Sequence, residues 1–191
     1  MCIRDSCTSL ESIVIPETMV VLGSQYVEGT YTNILGTNLF QGCTSLSSVT
    51  LPEGLDVLSN YMFEGCTSLK TIDLPESLTY LGTYTFQNSG LTSVTIPAGV
   101  KHLSLGKTSS AASGTHNVYT FANCTDLVSV TFNEGLETMG RFVFSGCTSL
   151  ESVKLPSSLY CMDRENFSDS GLKSITIPAT LTDWDLSLIH I

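Results

Sequence analysis

The sequence predicts a mostly β fold, an α/β-type solenoid with little helix, built by stacking copies of one short unit. Three observations lead there. The segment Gly65-Cys66-Thr67-Ser68-Leu69-Lys70-Thr71-Ile72-Asp73-Leu74-Pro75 recurs in edited form from Cys7, Cys43, Ser89, Cys124, Cys147 and Ser170, and such self-similarity marks a repeat architecture. Each copy holds a run of alternating polar and apolar residues, as in Ser48-Val49-Thr50-Leu51, the pattern of a half-buried strand. The repeat leucines Leu10, Leu46, Leu69, Leu91, Leu127, Leu150 and Leu172 are spaced 36, 23, 22, 36, 23 and 22 residues apart, so a block of three units, 81 residues long, has been duplicated.

Within a unit each segment has its own task. In the strand, Val49 and Leu51 face one way and Ser48 and Thr50 the other, because side chains alternate across a strand. Pro52 has no N–H and ends the pairing. The turn after it leads to Leu55 and Leu58, which return to the interior through a second short strand. The stretch from Asn60 to Cys66 then makes one tight turn, helical or irregular, that inserts Phe63 and reaches the next copy. One unit cannot bury enough apolar surface to stand alone, so stability must come from stacked neighbours and a parallel ladder running from unit to unit. The expected object is one right-handed solenoid of about six complete turns and a truncated seventh. Val49, Ile72, Val94, Val130, Val153 and Ile175 should form one buried column.

Composition excludes several functions. A net charge of −10 with eight Lys and Arg argues against nucleic acid and anionic membranes, which are bound through clustered cations. No apolar run approaches the roughly 20 residues that span a bilayer, so direct membrane insertion is not expected. The three histidines are isolated, and no CxxC, HExxH, GxSxG or glycine-rich phosphate loop occurs; the sequence predicts no enzyme, no cofactor and no metal site. Asp126, Asp163 and Asp169 read as turn residues and caps.

Five cysteines, Cys7, Cys43, Cys66, Cys124 and Cys147, share one repeat position, and Ser89 and Ser170 replace them in two copies. Bonding is therefore dispensable there, and buried free thiols acting as small hydrophobes are expected, with an occasional disulfide or metal as the alternative. Asn123-Cys124-Thr125 and Asn166-Phe167-Ser168 match the glycosylation pattern, yet both run through positions expected to be buried.

Two units carry 13 extra residues each, between Gly23 and Phe40 and between Ser104 and Phe121. Both follow the second apolar stretch, so both should leave the solenoid on the same side. The second, rich in Ser, Ala, Gly and Thr, reads as a flexible loop, whereas Tyr26, Val27, Tyr31 and Ile34 suit the first to a small hairpin. Met1–Ser6 and Leu186–Ile191 fit no part of the repeat. Codons ATG TGT ATA AGA GAC AG encode the first, and their reverse complement opens the second, so both hexamers resemble a sequencing adapter translated at each end of one insert. The expected organisation is thus 1–6 non-native, 7–185 a single solenoid with insert loops near 24–39 and 104–120, and 186–191 non-native.

The pattern "CTSLxSVxLPxxLxxLGxxxFxxC", with Pro and Phe in register over seven copies, resembles the BspA-like, or Treponema pallidum type, leucine-rich repeats. The resemblance implies a curved leucine-rich repeat solenoid with a parallel sheet on the concave face. It also implies extracellular or cell-surface display, and adhesion or protein binding. Asn133 stands where the family pattern has Pro.

Two surfaces are candidate binding sites. The outward strand positions Ser48, Thr50, Thr71, Asp73, Ser93, Thr95, Ser129, Thr131, Ser152 and Lys154 present hydroxyls in register, suited to a polar protein or glycan on a host or neighbouring cell. Their plain alternative is a solvated strand face. In the inserts, Tyr26, Tyr31 and Tyr119 are contact candidates, since tyrosine brings large contact area at low conformational cost; tolerated surface slack is the alternative. The rival to a binding module is a structural spacer, a stalk of repeats presenting another domain, favoured by the near-identity of the copies.

Overall fold

A computed structural model of the chain describes residues 7–17, 26–27, 30–31, 37–103 and 118–184. In chain order the strands are β1 (Ser12–Val14), β2 (Tyr26–Val27), β3 (Thr30–Tyr31), β4 (Ser48–Thr50), β5 (Val57–Leu58), β6 (Tyr80–Leu81), β7 (Ser93–Ile96), β8 (His102–Leu103), β9 (Ser129–Phe132), β10 (Thr138–Met139), β11 (Ser152–Lys154), β12 (Cys161–Met162), β13 (Ser174–Thr176) and β14 (Asp183–Trp184). The fold is a mostly β leucine-rich repeat solenoid. Apart from the β2–β3 hairpin, every pairing is parallel and joins equivalent positions of successive units, as in Ser12 opposite Ser48 and Ser93 opposite Ser129. Stacking one coil on the next is thus the whole topology.

Three hydrogen-bonded ladders hold the coils together. The first uses the strand that opens each unit and pairs β1 with β4, β7 with β9 and β11 with β13. It is not the continuous ladder the sequence implied: residues 71–73 join no strand, where Asp73, of a residue type depleted from strands, stands, and β9 and β11 do not pair either. The second ladder lies after the proline turn, where β5 pairs with β6, and β8, β10, β12 and β14 form a four-stranded sheet. The third runs through the turn around each phenylalanine. Tyr61 N–H donates to Thr83 O (3.0 Å), Phe63 N–H to Thr85 O (2.8 Å) and Gly65 N–H to Gln87 O (2.8 Å). The same triplet recurs from Asn38 to Gly42 and, across the second insert, from Tyr84 to Asn88.

That turn has a backbone signature the sequence did not disclose. Tyr61 (φ 59°) and Gly65 (φ 72°) are both left-handed, as are Tyr84 and Asn88, Tyr119 and Asn123, and Phe142 and Gly146. A bulky residue in this region costs on the order of 1–2 kcal/mol. A left-handed residue stands at each end of the turn, and the N–H groups of Tyr61, Phe63 and Gly65 all reach the next coil, so the strain is offset by inter-coil hydrogen bonds.

Inside, Leu46, Leu69, Leu91, Leu127, Leu150 and Leu172 are buried. Beside them the rings of Phe40, Phe63, Phe86, Phe121, Phe144 and Phe167 stack with centroids 5.5, 5.5, 5.3, 5.4 and 5.7 Å apart. In the valine and isoleucine column, Ile72, Val94 and Val153 are buried, but Val49, Val130 and Ile175 are only half-buried. The column lies directly under the strand face, at the margin of the core rather than at its centre.

Cys43, Cys66, Cys124 and Cys147 are buried outside any disulfide. The thiol of Cys66 donates to Phe40 O (3.2 Å), Cys124 to Phe86 O (3.1 Å) and Cys147 to Phe121 O (3.2 Å), so each bridges to the preceding coil. Ser89, at the same position, sits 3.3 Å from the Cys124 sulfur. Burial pushes the Cys66 thiol up to about 12 and Cys124 to about 11, and raises Cys43 and Cys147 in the same direction.

The two shortened units close their gap with glycine. Gly90 N–H bonds to Cys66 O (3.1 Å) and Gly171 N–H to Cys147 O (3.1 Å). A Cβ at Gly90 would stand 2.0 Å from Thr67 O, and one at Gly171 2.1 Å from Thr148 O.

Two predictions follow from this packing. Gly90→Ala should lower unfolding free energy by about 1–3 kcal/mol, because the clash is with backbone that cannot step aside; an unchanged denaturation midpoint would contradict the close approach. The four buried thiols should resist labelling in native buffer and react together only on unfolding. Because their pKa values are raised in the folded chain, their stabilisation is fully present below the unfolded thiol value of about 8.5. It is lost as pH rises toward 11 to 12, so the urea midpoint should fall over that window.

Candidate functional site

The outward side of the first ladder is an array of mostly small polar groups. One row holds Ser12, Ser48, Thr71, Ser93, Ser129, Ser152 and Ser174; the next holds Val14, Thr50, Asp73, Thr95, Thr131, Lys154 and Thr176, and all are exposed. Alternation within each strand sets this, since the residues between them point into the core.

Several hydroxyls elsewhere on the solenoid tie coils together. Thr79 donates to Asp56 O (3.1 Å), Ser77 to Leu55 O (3.0 Å), Thr92 to Lys70 O (3.1 Å) and Ser158 to Leu136 O (2.8 Å). Among the described residues, the side chains of the strand-face Ser and Thr make no such bond. Their donors and acceptors are left to solvent or a partner.

Charge on this face is sparse. Within these two rows it is limited to Asp73 and Lys154. Three ion pairs occur among the described residues, and neither residue takes part in them. Lys70 pairs with Asp126 at 2.8 Å, reaching over Gly90 in the coil between, and Lys173 pairs with Glu151 at the margin. Lys154 is felt by Glu134, whose carboxyl is held low chiefly by the Ser157 hydroxyl and N–H. Asp126 is thus an ion-pair member, and Asp163 accepts from Arg164 N–H (2.7 Å) as a turn residue.

The three insert tyrosines stand in different local settings. Tyr26 lies opposite Tyr31 in the antiparallel β2–β3 pair, so the first insert contains the hairpin. Tyr119 is not a loop contact: it stacks between Tyr84 (5.2 Å) and Phe142 (4.8 Å). Tyr61 continues the column at 4.7 Å from Tyr84, and the Arg141 guanidinium lies 5.3 Å from the Phe142 ring centre while bonding Glu165 at 3.0 Å. This half-buried column escaped the sequence reading, although each of its rings stands two residues before a core phenylalanine. With ring faces covered by one another, it is part of the stacking rather than a platform.

The glycosylation patterns separate. Asn166 is fully buried, accepting from Val143 N–H and donating to Asp163 O. Asn123, expected to be buried, is exposed, because it occupies the left-handed turn position that Gly65 and Gly146 fill in other coils. Among the described residues no three His, Cys, Asp or Glu side chains gather as metal ligands, and no helix is long and apolar enough to cross a membrane.

Among solved structures, the chain is similar to a leucine-rich repeat protein from Bacteroides ovatus, with a TM-score of 0.73 and 27% identity over 96% of this chain and 42% of that one. It therefore spans less than half of that protein. The Treponema pallidum leucine rich repeat protein gives a TM-score of 0.48 at 26% identity, covering 87% of this chain and 58% of the other. A leucine rich cell surface protein from Faecalibacterium prausnitzii gives 0.34 at 18% identity, covering 93% and 69%. No curated protein matches significantly. The BspA type leucine rich repeat region matches residues 5–109 and 115–188 in six copies, which is most of the chain. Spacing, stacked architecture and this match agree, and the chain belongs to the BspA type leucine-rich repeat family.

Proposed function

We propose that the chain is a non-catalytic binding module of a microbial cell-surface protein, working in adhesion through its strand face to a protein or glycan. The observation that carries this reading is the contrast between two sets of hydroxyls. Several of those off the strand face bridge coils, while those on it, from Ser48 to Thr176, are exposed and unspent among the described residues. An array of uncharged donors and acceptors fits a polar partner without the desolvation cost of buried charge. The cell-surface setting is supported by family membership. The first insert, whose Tyr26 and Tyr31 pair in the hairpin, is the second contact surface of this reading.

A stalk that holds another domain away from the cell is the competing reading, favoured by the near-identity of the seven copies. Binding to a panel of extracellular-matrix proteins and glycans separates the two. Ser129→Arg with Thr131→Arg should weaken binding at least tenfold while leaving the melting temperature within about 2 °C, since surface changes away from packed features shift stability by roughly 0.5 kcal/mol or less. Shortening both inserts to the 23-residue unit length should leave the coils folded. Loss of binding only on that trimming would move the site to the inserts, and absence of binding by every form would leave the stalk.

A further inference from the structure

The duplicated blocks differ in one systematic way. At the 81-residue offset, four positions are charged in both copies. Glu53 and Glu134 agree in sign, as do Asp56 and Glu137. Lys70 becomes Glu151 and Asp73 becomes Lys154, so the sign inverts at both. The two conserved-sign positions lie past the proline turn, whereas the inverted ones lie on or beside the strand face, and all four inverted side chains are exposed.

This inversion makes the face self-complementary. Along one row, successive coils present Thr50, Asp73, Thr95, Thr131, Lys154 and Thr176. Turning a second copy end over end about a two-fold axis lying along the strands, midway between the coils of Thr95 and Thr131, sets Asp73 against the partner copy's Lys154 and Lys154 against its Asp73. The neighbouring row, Ser47, Lys70, Thr92, Val128, Glu151 and Lys173, falls in the same register. Lys70, which bonds Asp126 within its own chain, then comes opposite Glu151 of the other copy, which bonds Lys173. This row therefore adds to the Asp73–Lys154 contacts only by sharing those pairs, and no two like charges meet in either row.

We infer that the strand face pairs with the strand face of a second copy of this chain, with solenoid axes antiparallel. Isologous contact of this kind needs one patch that complements itself, and the charge inversion supplies it. The occupant is a second copy rather than an unrelated chain because the coil-to-coil rise is the same on both sides. An extended peptide advances about 3.4 Å per residue against about 4.8 Å per coil, and so drifts out of step. Lys154 is the longest side chain in its row and spans the gap that facing sheets leave, with water joining the shorter hydroxyls. Antiparallel axes suit molecules displayed from two opposing surfaces. A weak single contact becomes effective there through many copies. The inference rests on the binding role of the strand face and names its partner.

Sedimentation equilibrium of the full chain, up to millimolar concentration in about 0.15 M salt where long-range repulsion between two acidic chains is screened, tests it. The wild type should show a monomer–dimer equilibrium. Asp73→Lys and Lys154→Asp should each weaken it at least tenfold, and an equimolar mixture of the two variants should associate again, as a mixed dimer with opposite charges restored. Circular dichroism melts verify that each variant is folded. If either variant fails that check, Asp73→Asn and Lys154→Gln replace the pair and should weaken association without mutual rescue. A wild type that stays monomeric throughout, or a dimer insensitive to these substitutions, overturns the inference. If that monomer still binds a panel protein or glycan through the strand face, the binding reading stands with an unrelated partner. If neither self-association nor panel binding occurs, both fail.

Discussion

Everything in this molecule depends on the rule that a residue must stack on its equivalent in the next coil. A single unit has too little apolar surface to fold, so each coil gains its stability from two neighbours. Three sets of inter-coil hydrogen bonds and a column of six phenylalanine rings impose that register. Identical residues recur because each must match its own copy above and below. Aromatic pairs in such a stack contribute about 0.5–1.5 kcal/mol each beyond the area they bury.

The same rule explains the departures from regularity. Extra residues are tolerated where the chain passes from the second ladder to the phenylalanine turn, since Tyr84 and Phe86 still bond to Val118 and Thr120 across the second insert. A missing residue is tolerated where glycine lets the backbone cut the corner, as at Gly90 and Gly171. Cysteine and serine interchange at the thiol column because either can bridge to a neighbouring coil without covalent chemistry. Residues facing solvent escape the rule, and there the copies diverge: Val14, Asp73 and Lys154 interrupt a row of threonines.

Much of this was legible in the sequence because stacking writes itself as periodicity. Leucine and phenylalanine spacing located the core, and strand alternation identified the outward rows. Backbone hand was not legible. Nothing in Tyr61 or Phe142 announces a positive φ, a conformation such residues adopt only when tertiary contacts impose it, and the second aromatic column went unseen with it. Tyr119 was misplaced for that reason, assigned to the insert it follows rather than to the turn it begins. Asn123 was judged by the burial of its neighbour Cys124, yet it stands at a glycine-like turn position and faces outward. The candidate site was legible as a list of outward residues. That its hydroxyls are unspent, while several elsewhere bind coil to coil, depends on contacts between coils that spacing alone does not reveal.

Double-mutant cycles on the phenylalanine column test the central claim, that stability passes from coil to coil through stacked equivalents. Phe63→Leu combined with Phe86→Leu removes two rings in contact at 5.5 Å, whereas Phe63→Leu combined with Phe144→Leu removes two that share no contact among the ring pairs. In equilibrium urea unfolding the first cycle should show a coupling of about 0.5–1.5 kcal/mol and the second should be additive within about 0.5 kcal/mol. Equal coupling in the two cycles, or none in the adjacent pair, would contradict the account.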